Sequence, residues 1–401
     1  MRQTQTRWYL LIVVTLAYIA FGLVTAVIGV IIDKFQVQYN VSLRVAAMLP
    51  FAFYLAYGLF SIPFGLAMDR FGARLVILLG MGLMTVGCFL FYLSNNYLLV
   101  IFMIFMIGVG VTAIQTAGNP FIRVLDTPER YTANLTIIIG IGALGYAFSP
   151  LMVPFIQAKG FSWETVYLIF GILNAILFLL LLKAKFPKVV ISEEEKIRLS
   201  VIHTLLKNPI ILTYTIGIFL YVGAEVGTSS YILIFMQKVH GLGVQQSLWA
   251  KGTLLYAAFP SISALVVALF WLLQAFGRLI IGPMMNRIRP KSIFIFHSAG
   301  TCIALLIAIF GSKILSLISF ALVGYFTCAA FTSIFSATIQ SFDKNHGTIS
   351  GILCTAIVGG AVIGWLVGVM GNLWNMQVAM GMNFLAFSYI FALAVWGRGK
   401  L

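Results

Sequence analysis

Charge is scarce in this chain, and acidic charge is scarcest of all. Only 9% of its 401 residues are charged, ten are Asp or Glu, and 61% are hydrophobic. A soluble domain carries about 25% charged residues. A water-soluble core cannot hide so much apolar surface, so lipid must cover much of it. Period-2 alternation is missing too, which favours helices over a closed barrel among the structures able to span a bilayer. The four cysteines (Cys88, Cys302, Cys328 and Cys354) all fall inside apolar runs. That position suits packed thiols better than disulfides, metal ligands or redox work. No Walker loop, nucleotide fingerprint, zinc motif or Ser–His–Asp set is evident, and Gly140–Gly142 sits inside an apolar run where a phosphate loop makes no sense. No cofactor, no metal and no enzymatic activity are therefore expected, and ATP-driven transport by this chain alone is not. The first apolar run, from Trp8, lacks a small-residue cleavage signal after it and reads as a retained helix.

What is present is a rhythm of apolar runs about 20 residues long, the length that crosses a bilayer core of roughly 30 Å. The spacing predicts helices at about 8–32, 45–68, 75–94, 97–122, 133–157, 164–183, 209–235, 262–285, 292–311, 314–341, 348–371 and 377–397. The fold class expected is an all-α polytopic membrane protein with twelve spans. The net charge of +15 would suit nucleic acid if taken alone. Its distribution says otherwise. Eighteen of the 25 Lys and Arg lie on the side of the termini, and six (Lys34, Arg44, Lys159, Lys238, Lys251 and Lys313) lie on the other, with Arg278 inside helix 8. That bias places both termini in the cytoplasm and makes lipid, not nucleic acid, the partner of the surface.

The longest polar interruption is Lys183 to Pro209, with similar stretches of chain on either side. The organisation expected is an N-terminal six-helix bundle over 1–183, a cytoplasmic linker over 184–208 and a C-terminal six-helix bundle over 209–401. Ser192 followed by Glu195 has capping-box spacing. Ile197, Val201, Ile202 and Leu205 recur at helical spacing, so a short amphipathic helix on the cytoplasmic face is expected, with a solvated linker as the other reading. The halves repeat. Gly65-x-x-x-Asp69-Arg70-x-Gly72-x-Arg74 after helix 2 matches Gly282-x-x-x-Asn286-Arg287-x-Arg289-Pro290-Lys291 after helix 8, at an offset of 217 positions. Helices 1 and 7 match at 201, and the difference fits a longer outer loop containing Trp249-Ala-Lys251-Gly. Parallel repeats with a site at their interface are a transporter signature.

Of the ten acids, only Glu225 sits deep in an apolar run. A carboxylate in hydrocarbon is a functional-site candidate by default. It suits a proton carrier or a cation ligand, and equally a structural glutamate bonded to a neighbouring helix, with Arg278 as a partner. Arg278 itself suits a gating salt bridge, snorkelling to the interface, or an anionic substrate. Gln115 and Asn119 lie four apart on one face of helix 4, where amides serve either a hydroxyl-rich ligand or a helix–helix bond. Tyr54, Tyr57, Tyr221 and Trp271 offer aromatic faces, and His297 reads as a packed histidine.

The Gly65–Arg74 loop fits the loop signature of the major facilitator superfamily. Three further stretches agree in order: Gln115-Thr-Ala-Gly-Asn119-Pro120-Phe121, Tyr221-Val-Gly-Ala-Glu225-Val-Gly-Thr228-Ser229-Ser230, and the run from Ser350 through Gly359-Gly360. With Phe270-Trp271 and Gly277-Arg278 they resemble the fucose–galactose/glucose porter family. That resemblance implies the major facilitator fold, two pseudo-symmetric six-helix bundles, and secondary-active transport of a monosaccharide coupled to a proton or sodium ion. Taken with the residue readings above, the candidate substrate contacts are Thr25, Gln115, Asn119, Tyr221, Thr228 and Trp271, the candidate ion-coupling residue is Glu225, and the candidate gating residues are Asp69, Arg70, Arg74, Arg278 and Arg287. A monomer in the inner (cytoplasmic) membrane is expected, with a small-molecule substrate and a coupling ion, H+ or Na+. The chain also departs from the family. The family's helix 1 Asn-Asp pair falls at Ile28 and Gly29, its helix 5 Gln and Asn at Ile137 and Gly140, and its Gly-Gly pair after the helix 8 tryptophan at Leu272-Leu273. A transporter of a non-sugar metabolite or amphipathic compound, and a membrane sensor that no longer transports, therefore stay open.

Overall fold

A computed structural model describes residues 2–41, 43–46, 48–125, 127–184, 186, 199–242, 253 and 262–398. Among them twelve helices are long and apolar enough to cross a membrane. They are α1 (Arg2–Tyr39), α2 (Met48–Phe71), α3 (Ala73–Leu93), α4 (Tyr97–Leu125), α5 (Tyr131–Ala158) and α6 (Thr165–Lys183). After the centre come α7 (Pro209–His240), α8 (Ile262–Met284), α9 (Pro290–Phe310), α10 (Lys313–Gln340), α11 (His346–Leu373) and α12 (Met376–Trp396). Two spans are interrupted: α10 between Thr327 and Ala330, and α11 by a 3-10 turn over Ala356–Val358. The hydropathy reading found every span, but placed the end of α1 short of Tyr39 and that of α7 short of His240.

Helix ends follow local chemistry. Asn208 accepts the Ile210 amide at 2.9 Å and Pro209 occupies the first turn of α7, while Gly241 closes its far end in a left-handed conformation. Asn375 likewise accepts the Val378 amide to start α12. A short helix over Leu199–Leu206 precedes α7. The Ser192–Glu195 box, Ile197 and the Trp249–Gly252 loop segment lie outside the described residues.

Packing repeats with a period of six helices. In the first half α1 packs on α5, and α4 on α2 and α3; in the second, α7 packs on α11, and α10 on α8 and α9. The halves meet mainly through α2 against α11 and α5 against α8, two pairs that the same repeat exchanges. Large apolar side chains such as Phe102, Leu179, Ile314 and Leu385 point outward, as lipid-facing positions must, while Tyr18, Phe53, Phe121, Tyr214 and Phe235 are fully buried. Small residues permit the cross-half contact. Gly65 on α2 and Gly347 on α11 lie backbone to backbone, and a Cβ on either would run into the other's carbonyl oxygen.

Candidate functional site

A cavity of about 100 Å³ lies where the halves meet, walled by α1, α2, α4 and α5 on one side and α7, α8, α10 and α11 on the other. The second half supplies its charges. Glu225 on α7 accepts short hydrogen bonds at Oε1 from Tyr221 Oη and from Gln274 Nε2. Tyr221 is one turn back on the same helix, and Gln274 reaches across from α8. Four residues beyond Gln274, Arg278 brings Nη2 to 4.0 Å from the same oxygen. The interruption of α10 completes the cluster. The Thr327 carbonyl lies 3.1 Å from Tyr221 Oη, and the Cys328 carbonyl accepts from Arg278 Nε at 3.3 Å. Backbone oxygens at a helix break are tolerated at membrane depth where polar side chains take them up. Glu225 and Arg278 are both more than nine-tenths buried.

The first half supplies an aromatic wall with one amide. Tyr57 donates to Gln115 Oε1 at 2.7 Å, which leaves the Gln115 NH2 group as a donor at the cavity edge. Phe21 and Tyr18 from α1, Phe53 and Tyr54 from α2, and Tyr146 from α5 form the remainder of its aromatic surface. Tyr146 stacks on Trp271 of α8, ring centroids 5.8 Å apart, and so bridges the halves. Aromatic faces flanking a few placed amides are what a small polar ring with apolar faces needs.

Below the cavity, toward the face of the chain termini, the halves are sealed. Asp69 at the end of α2 receives the Gly347 amide at 2.8 Å, and the Thr348 amide and hydroxyl at 2.6 Å each. It caps α11 from the opposite half, where the amides of the first turn have no partner of their own. Nearby, Thr132 Oγ1 on α5 donates to Ser336 Oγ at 3.0 Å and accepts from Gln340 at 3.1 Å, and Thr136 Oγ1 lies 2.9 Å from Thr332 Oγ1. Pro120 lacks an amide hydrogen, so the Thr116 carbonyl has no helical donor. Ser350 of α11 donates to it at 2.6 Å.

Six residues expected at the site, Thr25, Gln115, Tyr221, Glu225, Trp271 and Arg278, do line this cavity. Asn119 and Thr228 do not. Asn119 is fully buried behind the wall, with Tyr18 donating to its Oδ1 at 2.5 Å; Thr228 accepts from Asn383 of α12 at 3.2 Å. Both face neighbouring helices because their positions on α4 and α7 fall on the packed side. Ile137 packs toward Gly282 and Gly140 toward Arg278. The α5 positions that reach the cavity are Ile139, Gly142, Ala143 and Tyr146, one helical stripe. Of the residues expected to gate, Asp69 bonds across the halves, whereas the polar partners of Arg278, Glu225 and the Cys328 carbonyl, lie in its own half. Arg74 donates to the Leu182 carbonyl at 3.0 Å, within the first half, Arg70 lies over the Phe71 ring at 4.9 Å, and Arg287 is exposed in the turn after α8. Sequence reasoning missed Gln274, Tyr18 and Tyr146. Gln274 had a signal, an amide in an apolar run one turn from Arg278. His297 packs among Phe296, Tyr325 and Phe326, as expected.

Residues 11–268 match the family described as the Major Facilitator Superfamily. The chain belongs to that superfamily. It is a multi-pass membrane transporter with a small-molecule substrate, and superfamily membership sets it apart from enzymes. Among similar proteins, the glucose/galactose transporter of Brucella abortus biovar 1 (strain 9-941) is 25% identical over 94% of this chain and 91% of its own length. The L-fucose-proton symporter of Haemophilus influenzae (strain ATCC 51907 / DSM 11121 / KW20 / Rd) is 21% identical over 95% and 92%. Among solved structures, the superfamily transporter FucP in the outward conformation superposes with a TM-score of 0.83 at 19% identity, covering 99% of this chain and all of that one. This superfamily member therefore shares the FucP fold end to end.

Proposed function

We propose that this transporter moves a monosaccharide across the cytoplasmic membrane by alternating access, with a proton as the coupling ion. The observation that carries the reading is the position of Glu225, the one acid among the described residues that line a cavity shared by both halves. Its partners are an amide, a phenol and a guanidinium that bind its charged form and release it readily on protonation. The donor on Gln115 and the aromatic stack suit ring hydroxyls and ring faces, and the relatives named for glucose, galactose and fucose support a sugar. The basic residues support a cytoplasmic location for the termini and for the sealed face. On that reading the cavity is poised toward the outside, and the working unit is one chain. The two bundles, 1–183 and 209–401, rock about the site while 184–208 tethers them on the inner side. Glu225, Tyr221, Gln274 and Arg278 handle the ion; Thr25, Gln115, Trp271 and Tyr146 hold the sugar; Asp69 latches the inner face. Asn119 and Thr228 support the wall.

Counterflow in proteoliposomes tests this. Purified transporter loaded with unlabelled hexose should exchange labelled hexose, and an inward proton gradient should drive accumulation where a sodium gradient does not. Absence of exchange for every monosaccharide in a panel would overturn the sugar reading.

A further inference from the structure

The guanidinium of Arg278 has donors to spare in the cavity. Its Nε is held by the Cys328 carbonyl, but its two terminal nitrogens donate no hydrogen bond among the described residues. The one opposite charge beside it among the described residues is Glu225 Oε1 at 4.0 Å, beyond hydrogen-bond reach. Gln274 and Tyr221 occupy that oxygen, so the carboxylate is kept from closing on the arginine. A planar fork with free donors, buried beside a cavity, is suited to a carboxylate.

Charge balance sharpens the point. Among the described residues, the cavity walls hold one carboxylate and one guanidinium, net zero. When Glu225 takes the coupling proton from the outer solution, the cavity becomes +1. A neutral sugar would leave that charge uncompensated while the bundles move it through hydrocarbon, where net charge is expensive. A monoanionic substrate restores neutrality. Proton on Glu225 and anion on Arg278 then favour each other, a coupling that is reciprocal by linkage. Among the described residues, the other ionisable or charged groups that face Glu225 are Tyr221 on its own helix, Arg278 on α8, Tyr54 on α2 and Tyr146 on α5, with Cys328 of α10 beside Tyr221 and Arg278; none carries a carboxyl group. No neighbour can supply the missing negative charge.

We infer that the substrate is a sugar acid, a monosaccharide bearing one carboxylate such as a hexuronate. Its carboxylate docks on the free fork of Arg278 while Glu225 holds the proton, and its ring and hydroxyls meet the Trp271–Tyr146 stack and Gln115. The inference rests on the transport reading above and narrows its substrate class.

The test compares labelled galacturonate and glucuronate with galactose, glucose and lactate in counterflow. Uronates should exchange at least about tenfold faster than the parent hexoses. Arg278→Gln should collapse the uronate-to-hexose ratio by on the order of 100-fold, the scale of a lost buried charge pair, and Arg278→Lys should restore part of it. The ratio is taken within one preparation, so it does not depend on how much protein folds. Proton-driven uronate uptake should also ignore an imposed membrane potential. Hexose exchange without uronate exchange, an unchanged ratio in Arg278→Gln, or lactate exchanging as well as uronate would each overturn the sugar-acid assignment and leave hexose or anion transport standing. If nothing exchanges, both this assignment and the sugar reading fall.

Discussion

On the proposed reading, coupling turns on one oxygen of Glu225. It accepts from a phenol on its own helix and an amide on the next, while a guanidinium waits 4.0 Å away. Replacing it by glutamine keeps the shape and removes the charge. Glu225→Gln should abolish proton-driven accumulation while preserving exchange, read by pairing labelled-solute uptake with an internal pH dye; a variant still driven by a proton gradient would remove Glu225 from coupling. Gln274→Leu should let Arg278 close on the carboxylate and tie both groups into a tight pair. Accumulation should then fall by about tenfold, since loosening a buried charge pair takes at least 1–2 kcal/mol. The acid was legible in the sequence because it stands alone in an apolar run. Its amide partner gave only an ambiguous signal, because uncharged amides in such runs serve helix contacts as readily as sites. Asn119 shows the same ambiguity resolved the other way, since its oxygen is spent on Tyr18.

At the scale of single helices, interruptions matter more than lengths. Hydropathy revealed all twelve spans because lipid demands length and apolarity together. The break in α10 had no such signal, for it contains no proline and its sequence through Thr327-Cys328-Ala329 is as apolar as its surroundings. Only the tertiary partners of the freed carbonyls, Tyr221 and Arg278, show why it is there. Pro120 is the opposite case. The residue is visible in the sequence, yet its consequence, a carbonyl at Thr116 offered to the other half, requires the fold. Ser350→Ala should leave that buried oxygen without a donor and cost the sealed state about 1–3 kcal/mol. The measurement is the labelling rate, by an impermeant maleimide, of a cysteine introduced near Ser336. It should rise in the variant, and an unaltered rate would mean that the bond carries none of the seal.

At the scale of the whole molecule the seal is lopsided. Asp69 makes three charge-assisted bonds to α11, whereas its counterpart in the repeat, Asn286, is exposed and the α5–α10 edge relies on neutral hydroxyls and one amide. Asp69→Asn should weaken the seal by about 2 kcal/mol, a roughly 30-fold shift toward inner opening, visible as faster maleimide labelling from that side. The repeat itself was legible from the two loop motifs. The asymmetry was foreshadowed only by the change from Asp to Asn, whose effect depends on which helix each residue meets. Replacing 192–206 by a flexible Gly/Ser segment tests the tether. Transport should slow as the bundles lose their limit of separation, and an unchanged rate would make the stretch a spacer. Finally, Trp271 is the one tryptophan among the described residues in the cavity wall, and its ring lies against Tyr146 of the other half. Parting or tightening the halves must alter the polarity around that indole. The transporter thus carries its own optical gauge of conformation: with the other six tryptophans replaced, its emission colour would follow each turnover without an attached dye.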